Sequence, residues 1–113
     1  PETFLIQEFI REKILDNTRE EVPHAVAVYI ERMQHKKELT RIDATIVVER
    51  DSQKAIVIGK NGARLKKIGT DARLDIEELL GRSVYLDLFC KVEPNWRNRD
   101  HYLKTYGYKP EKK

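Results

Sequence analysis

The chain has 113 residues and a net charge of +3, enough for one compact domain but too short for two independent cores. Hydrophobic residues make up 40% of it and charged residues 36%, which is typical of a folded protein with a heavily charged surface and excludes a disordered chain. No apolar run approaches the roughly 18 residues of a membrane-spanning helix, and the single Cys90 cannot form an internal disulfide, so we expect a cytoplasmic protein.

The spacing of apolar residues predicts first a helix and then two strands. Residues 2–16 carry them three and four positions apart, which predicts an amphipathic helix with Thr3 as a candidate N-cap. Beyond Pro23, which a helix interior would not accept, the period changes to two over residues 26–30, and this predicts a strand. Residues 42–49 alternate in the same way. The two strands are close enough in sequence to pair as a hairpin.

Two helices are predicted next, separated by a glycine-rich turn. Asp51 and Ser52 are candidate caps of a short helix that Gly59 ends within two turns. A longer amphipathic helix begins after Gly62 and is closed by Gly81.

The last predicted elements are a strand and a brief helix. Apolar residues alternate over 84–92, Pro94 ends this strand, and Asn95 is a candidate cap for a short C-terminal helix that carries Trp96. The whole order predicts an α+β domain in which three strands are covered by helices on one face.

Positive charge is concentrated in two segments. Residues 59–73 and residues 94–113 each carry a net charge of +4, whereas the remaining 78 residues sum to −5. This asymmetry favours an anionic partner more strongly than the overall charge does.

The stretch from Gly59 to Gly62, with Lys60 and Asn61 between the glycines, combines a permissive backbone with positive charge. Glycine accepts the sharp reversal between two helices and lets a sugar-phosphate backbone approach the peptide N–H groups. The positive end of the helix that follows would add to this attraction. The pattern favours a phosphate-binding loop, and a solvated turn between helices is the alternative.

The segment VIGKNGARLKKIG resembles the VIGxxG signature of KH domains, single-stranded nucleic acid modules whose GxxG loop clamps backbone nucleotides. An extra helix and strand precede the core, which is the order of a type II KH domain with a three-stranded mixed sheet. The flanking segments, among them FLIQEFIREKIL and VEPNWRNRDHYLKTYGY, resemble the C-terminal domain of the bacterial Era GTPase family. The resemblance covers nearly the whole chain. It implies a single domain over 1–113, with a KH core at about 42–93, an N-terminal helix and strand at 2–34, and a C-terminal helix and tail at 94–113.

The resemblance also implies a function. We expect binding of single-stranded RNA at the 3′ end of the small-subunit (16S) ribosomal RNA, as the targeting domain of an Era-like GTPase in small-subunit assembly. The expected partners are that RNA, the 30S subunit and the GTPase domain. In this family GTP and magnesium belong to an N-terminal GTPase domain that precedes this region. No GxxxxGK[ST] loop occurs here, so we expect neither a cofactor nor enzymatic activity for this chain.

The candidate RNA contacts lie on the loop and the start of the helix after it. By resemblance they are Ile58, Gly59, Lys60, Asn61, Gly62, Ala63, Arg64 and Lys67. Arg64 and Lys67 are three positions apart on a helix and are expected to share its phosphate side. Further candidate groove or loop contacts are Ile56, Lys36, Lys37, Arg41, Val47 and Lys66.

Several of these further candidates have a structural alternative. Ile56 is equally suited to the core, and Lys36, Lys37 and Arg41 occupy a loop that borders the groove in type II KH domains but could simply be solvated. Val47 and its neighbour Val48 cannot both face one core if the strand alternates, so one of them could line the groove.

A second function class remains open from the sequence. The chain could be a protein-interaction domain that docks on the GTPase domain or on another acidic partner. His24, His35, His101 and Cys90 have no metal-ligand spacing, so no metal is expected. We expect a monomer. The basic C-terminal tail could equally contact the inner face of the cell membrane, a peripheral attachment that the resemblance implies, although its charge is a weak signal for it.

Overall fold

The computed structural model describes residues 1–18, 22 and 26–96. Its elements are α1 (Glu2–Asn17), β1 (Val26–His35), β2 (Leu39–Val48), α2 (Asp51–Ile58), a 3₁₀ turn (Lys60–Gly62), α3 (Ala63–Leu80) and β3 (Ser83–Val92). This is the predicted α+β order. The predicted C-terminal helix falls mostly on residues 97–113, which lie outside the described residues.

The three strands form one mixed sheet in the order β1-β2-β3. β1 pairs antiparallel with β2, as the hairpin prediction required, and β2 pairs in parallel with β3. The parallel pairing arises because α2 and α3 carry the chain back to the starting end of the sheet. β2 is therefore the central strand, and every residue from Ile42 to Val48 is buried.

All three helices pack on one face of the sheet, which confirms the predicted layer arrangement. Each presents apolar residues at helical spacing to the same core cluster, which contains Ile6, Ile10 and Ile14 of α1, Val57 of α2, Ile68, Ala72 and Ile76 of α3, and Ile42, Ala44, Ile46 and Val48 of β2. Burying side chains of this size is worth about 1.5–3 kcal/mol each, so this cluster is the main source of stability.

The opposite face of the sheet, which we call the far face, has its own small apolar cluster. Ala27 and Val47 pack there against Trp96, and all three are buried. The expectation that Val47 could line a groove beside the helices is therefore wrong. Val48 faces the helical core, and the alternation of the strand turns Val47 away from it.

The predicted helix caps differ from those in the structure. α1 begins at Glu2 after Pro1, so Thr3 lies inside the helix and is not its cap. α2 begins after Arg50, so Asp51 and Ser52 belong to its first turn. The Gln53 side-chain oxygen accepts hydrogen bonds from the backbone N–H groups of Glu49 and Arg50, both at 3.0 Å, and this holds the entry into α2. A polar side chain three residues into the helix therefore bonds the backbone that enters it, as the N3 residue of a capping box does.

Candidate nucleic-acid interface

The turn between α2 and α3 has a backbone that few residues adopt. Gly59 (φ 73°, ψ 177°), Asn61 (φ 56°) and Gly62 (φ 76°) all have positive φ angles. The Gly59 angles lie in a region open essentially to glycine, and asparagine is among the residues that most readily enter the left-handed region. The sequence Gly-Lys-Asn-Gly therefore places a suitable residue at each strained position.

The N–H groups of this turn divide into bonded and available ones. Gly59 donates to the carbonyl of Ala55 (2.9 Å), Gly62 donates to the carbonyl of Gly59 (3.2 Å), and Ala63 donates to that of Lys60. Within the described part of the chain, the N–H groups of Lys60 and Asn61 have no acceptor. Both residues are exposed. Available N–H groups at a helix start form a receptor for an anion such as phosphate.

The two glycines of the turn are needed for different reasons. A Cβ built on Gly59 would lie 2.7 Å from the Cβ of Arg64 and 3.0 Å from its backbone nitrogen, so the chain itself fills that space. A Cβ built on Gly62 would have no atom within 4 Å. Gly59 thus allows α2 and α3 to approach each other, while Gly62 keeps an open surface over which a ligand backbone can come close.

The basic side chains around the turn do different things. Arg64 Nη1 donates to the carbonyl oxygen of Ile56 at 2.8 Å and so ties the start of α3 to the end of α2. Lys67 Nζ lies 2.8 Å from Asp71 Oδ2, a contact that lowers the pKa of the Asp71 carboxyl. We expected Arg64 and Lys67 to face a bound phosphate together. Instead, Arg64 bonds the end of α2 and Lys67 pairs with Asp71. Lys60 and Lys66 are exposed and form no ion pair with a described residue, so their charge is available.

A groove runs from this turn along the side of α3 and has β3 as its second wall. The α3 side consists of Gly62, Leu65, Lys66, Gly69, Thr70 and Arg73, and the β3 side of Leu86, Asp87 and Leu88. Gly69 adds no side chain to the groove wall, and a Cβ built there would make an ordinary contact with Leu88 Cδ1 at 3.6 Å. Among the described strands β3 lies at the edge of the sheet, so no described strand pairs with the outer backbone groups that face the groove.

Several groove residues were absent from the sequence prediction. Thr70, Arg73, Leu86, Asp87 and Leu88 could not be selected, because α3 had to be placed against β3 before its side facing the strand was known. The helical period did contain part of this signal, since Gly62, Lys66, Gly69 and Arg73 follow one another at steps of three and four.

The predicted apolar contacts lie close to the turn. Ile58 is half-buried and directly precedes Gly59. Ile56 is also half-buried but packs against the helical core cluster. Ile58 is thus the better candidate for contact with a ligand, and Ile56 is shared between the core and the surface.

Three predicted contacts lie in the wrong place for this groove. Lys36 and Lys37 form the β1–β2 hairpin loop, where Arg82 donates a hydrogen bond to the carbonyl oxygen of Lys36. Arg82 follows the C-terminal end of α3, whereas the glycine turn precedes its N-terminal end, and the helix between them is about 27 Å long. Arg41 faces the far side of the sheet, where its guanidinium lies 5.1 Å from the Tyr85 ring centroid. The β1–β2 loop therefore does not border the groove.

Other kinds of site find little support in the described residues. No group of three His, Cys, Asp or Glu side chains there could hold a metal ion. Burial raises the pKa of the Cys90 thiol to about 11, so it is protonated and unreactive near neutral pH. None of the described helices has the length and apolar character to cross a bilayer. The basic tail expected to contact a membrane lies outside the described residues.

Comparison with known proteins gives consistent matches. The family described as KH domain matches residues 21–97. The chain is 54% identical over 109 residues to a protein named GTPase Era from Staphylococcus haemolyticus, and 52% identical over 110 residues to one from Carboxydothermus hydrogenoformans. Each alignment covers 96% of this chain but only 36% and 37% of the relative, so the chain spans just over a third of their length.

Two solved structures share the fold, each with a TM-score of 0.91 and 44% identity. Each alignment covers 96% of this chain and 37% of the chain it matches. One is a variant of Era from Aquifex aeolicus bound to GDP and AlF4⁻. The other is Era in complex with MgGDPNP and nucleotides 1506–1542 of 16S ribosomal RNA. A KH domain is a nucleic-acid-binding module and not a catalytic one, in agreement with the expectation that this chain is not itself an enzyme. The chain belongs to the KH domain family and, within it, corresponds to the C-terminal KH domain of the GTPase Era.

Proposed function

We propose that this domain binds single-stranded RNA at the 3′ end of 16S ribosomal RNA, as the targeting part of an Era-like GTPase that acts in small-subunit assembly. The observation that carries the proposal is the glycine turn, which offers the free N–H groups of Lys60 and Asn61 at the mouth of the groove between α3 and β3. The complex of a 44% identical relative with nucleotides 1506–1542 of 16S ribosomal RNA supports the choice of target.

The groove accounts for how such a strand would be held. Phosphates sit over the turn, where the open space at Gly62 allows close approach and Lys60 and Lys66 add full charges. The bases then enter between α3 and β3, where Leu65 and Leu88 offer apolar contact and Arg73 and the outer backbone groups of β3 offer hydrogen bonds. Backbone N–H and C=O groups that no described strand pairs, together with a guanidinium, can distinguish base edges, which is the kind of recognition that KH domains use.

The test replaces Lys60 and Asn61 together by aspartate. Both side chains are exposed, and aspartate is also accepted at the positive φ of Asn61, so the fold should survive. We expect at least a tenfold loss of affinity for a short RNA from the 3′ end of 16S ribosomal RNA, measured by filter binding, with an unchanged circular dichroism spectrum.

A matched control places the same charge change at the other end of α3. The test variant makes the protein three units more negative, and so does Lys37→Asp combined with Gln34→Glu on exposed residues of the hairpin. Equal losses in both variants would mean that only overall charge matters. A folded test variant that binds as tightly as the wild type would refute the loop assignment.

A further inference from the structure

The far face of the sheet exposes two aromatic side chains next to the groove. Phe89 is 56% exposed and Tyr85 is 51% exposed, and both belong to the edge strand β3. They are four residues apart, so they point to the same side of the sheet and lie about 13 Å from each other along the strand. Neither belongs to the two apolar core clusters. The Phe89 ring is therefore available to a planar ligand, and so is the face of the Tyr85 ring that Arg41 does not cover.

The charges around these rings are nearly balanced. Asp43 pairs with the guanidinium groups of both Arg32 (3.5 Å) and Arg41 (3.3 Å), and the Arg41 guanidinium also lies over the Tyr85 ring. Phe89 borders a depression that it shares with this ion-pair network and with the carboxylates of Glu31 and Asp87. Carboxylates repel phosphates, whereas they accept hydrogen bonds from exocyclic amino groups of bases such as cytosine. The surface suits bases better than it suits a nucleic acid backbone.

A bulge in β1 helps to shape this depression. The pairing of β1 with β2 shifts between Ile30 and Arg32, so Glu31 is the extra residue. Both Glu31 and Arg32 line the depression as a result. Glu31 Oε1 accepts hydrogen bonds from the hydroxyls of Tyr29 (2.7 Å) and Thr45 (3.3 Å), which fixes its position.

The depression lies on the other face of β3 from the groove. Asp87 lines both, and because β3 is the edge strand only its own backbone separates them. A single-stranded RNA that leaves the groove over the edge of the sheet would next meet the two aromatic rings.

We propose that Phe89 and Tyr85 form a second nucleotide-binding surface, on which bases of the same single strand stack after it leaves the groove. This inference rests on the proposed function, because the groove holds the RNA and so keeps the nucleotides that follow at a high effective concentration near the two rings. Stacking requires no net charge, and every base has a face that an aromatic ring can contact. The balanced charge of the far face is therefore no obstacle.

The experiment compares two RNA lengths on the whole 113-residue chain. One fluorescently labelled RNA has about four nucleotides, the number that a GxxG loop clamps, and the other extends it by about four more. We expect Phe89→Ala to leave binding of the short RNA unchanged and to weaken the long RNA about tenfold, as loss of one stacked base would. Phe89→Leu should do the same, because it keeps an apolar side chain but removes the ring.

Phe4→Ala is the matched control, since Phe4 is a 53% exposed aromatic on α1, in the helical layer on the opposite side of the sheet. It should affect neither RNA. If Phe89→Ala binds both RNAs like the wild type, or weakens both equally, the second surface is refuted. A concentration-dependent change in sedimentation of this variant without an effect on RNA would assign the face to protein contact instead, and also refute it. If the wild type binds neither RNA, the proposed function itself fails.

Discussion

At the level of single residues, the glycine turn shows that two identical residues can have different tasks. Gly59 combines a φ and ψ pair open essentially to glycine with a position where a Cβ would clash with the Cβ and backbone nitrogen of Arg64. Gly62 has only its positive φ, with open space around it. Gly59 is required by the fold. Gly62 is required by the turn and by the open surface that the turn offers to RNA.

This difference predicts that alanine at Gly59 mainly lowers stability, whereas alanine at Gly62 mainly lowers the affinity for RNA. Gly59→Ala should lower the free energy of unfolding by about 3 kcal/mol, because strain and the clash add. Gly62→Ala should lower it by only about 1 kcal/mol, since left-handed strain is partly offset by the reduced entropy of the unfolded chain. The added methyl of Gly62→Ala nevertheless lies in the path of the RNA backbone, so its affinity for RNA should fall more than its stability suggests. Urea unfolding and filter binding measure the two quantities.

The pair is informative because each variant controls for the other. If Gly62→Ala bound RNA normally while remaining folded, the backbone of the ligand would not pass over that position.

At the level of elements, α3 is both a core helix and one wall of the groove. One side of the helix packs Ile68, Ala72 and Ile76 into the core. The side turned toward β3 lines the groove with Lys66 and Arg73, and Gly69 lies between them. A glycine inside a helix costs stability, and here it leaves the groove wall without a side chain at that position.

We therefore expect Gly69→Ala to separate stability from binding. The added Cβ would be 3.6 Å from Leu88, which is an ordinary contact, so the higher helix propensity of alanine should raise the free energy of unfolding by about 0.5–1 kcal/mol. The same methyl narrows the groove and should weaken RNA binding several-fold. Thermal unfolding and fluorescence anisotropy of one preparation would measure both. A destabilised variant would mean that α3 and β3 already touch too tightly to admit the methyl.

The elements were largely predictable, and so were the ends set by Gly59, Gly62 and Gly81, whereas the N-terminal caps of α1 and α2 were not. The helical spacing of α1 and α3 and the alternation in all three strands predicted them, because one face of each packs on the core. The sequence pattern did not identify Gln53, which bonds the entry into α2 from inside that helix. It did not predict the bulge at Glu31 either, because a bulge appears only when two strands are paired.

At the level of the whole molecule, charge is arranged along α3. Its first half carries Arg64, Lys66 and Lys67, whereas residues 71–80 sum to −3. Together with the free cations at the turn, this directs an anionic strand to the N-terminal end of the helix and repels it from the other end.

Binding should therefore depend on salt in proportion to the few phosphates held at the turn. Two phosphates predict a slope of about −1.4 for log affinity against log salt concentration, because each contributes about −0.7 on a single strand. Lys60→Asp combined with Asn61→Asp should flatten this slope by about 0.7 for each phosphate that the variant no longer binds. Titrations at several salt concentrations would show it, and an affinity that does not change with salt would exclude phosphate binding at the turn.

The sequence by itself determined the α+β order, the apolar faces of the helices and the glycine turn, because helical period, strand alternation and positive φ are properties of short segments. Tertiary structure alone decided that Val47 faces Trp96, that Lys36 and Lys37 lie at the opposite end of α3 from the turn, and that β3 is the second wall of the groove. The physical reason is the parallel pairing of β2 with β3, which brings together residues about 44 positions apart in the chain, a separation that no local pattern spans.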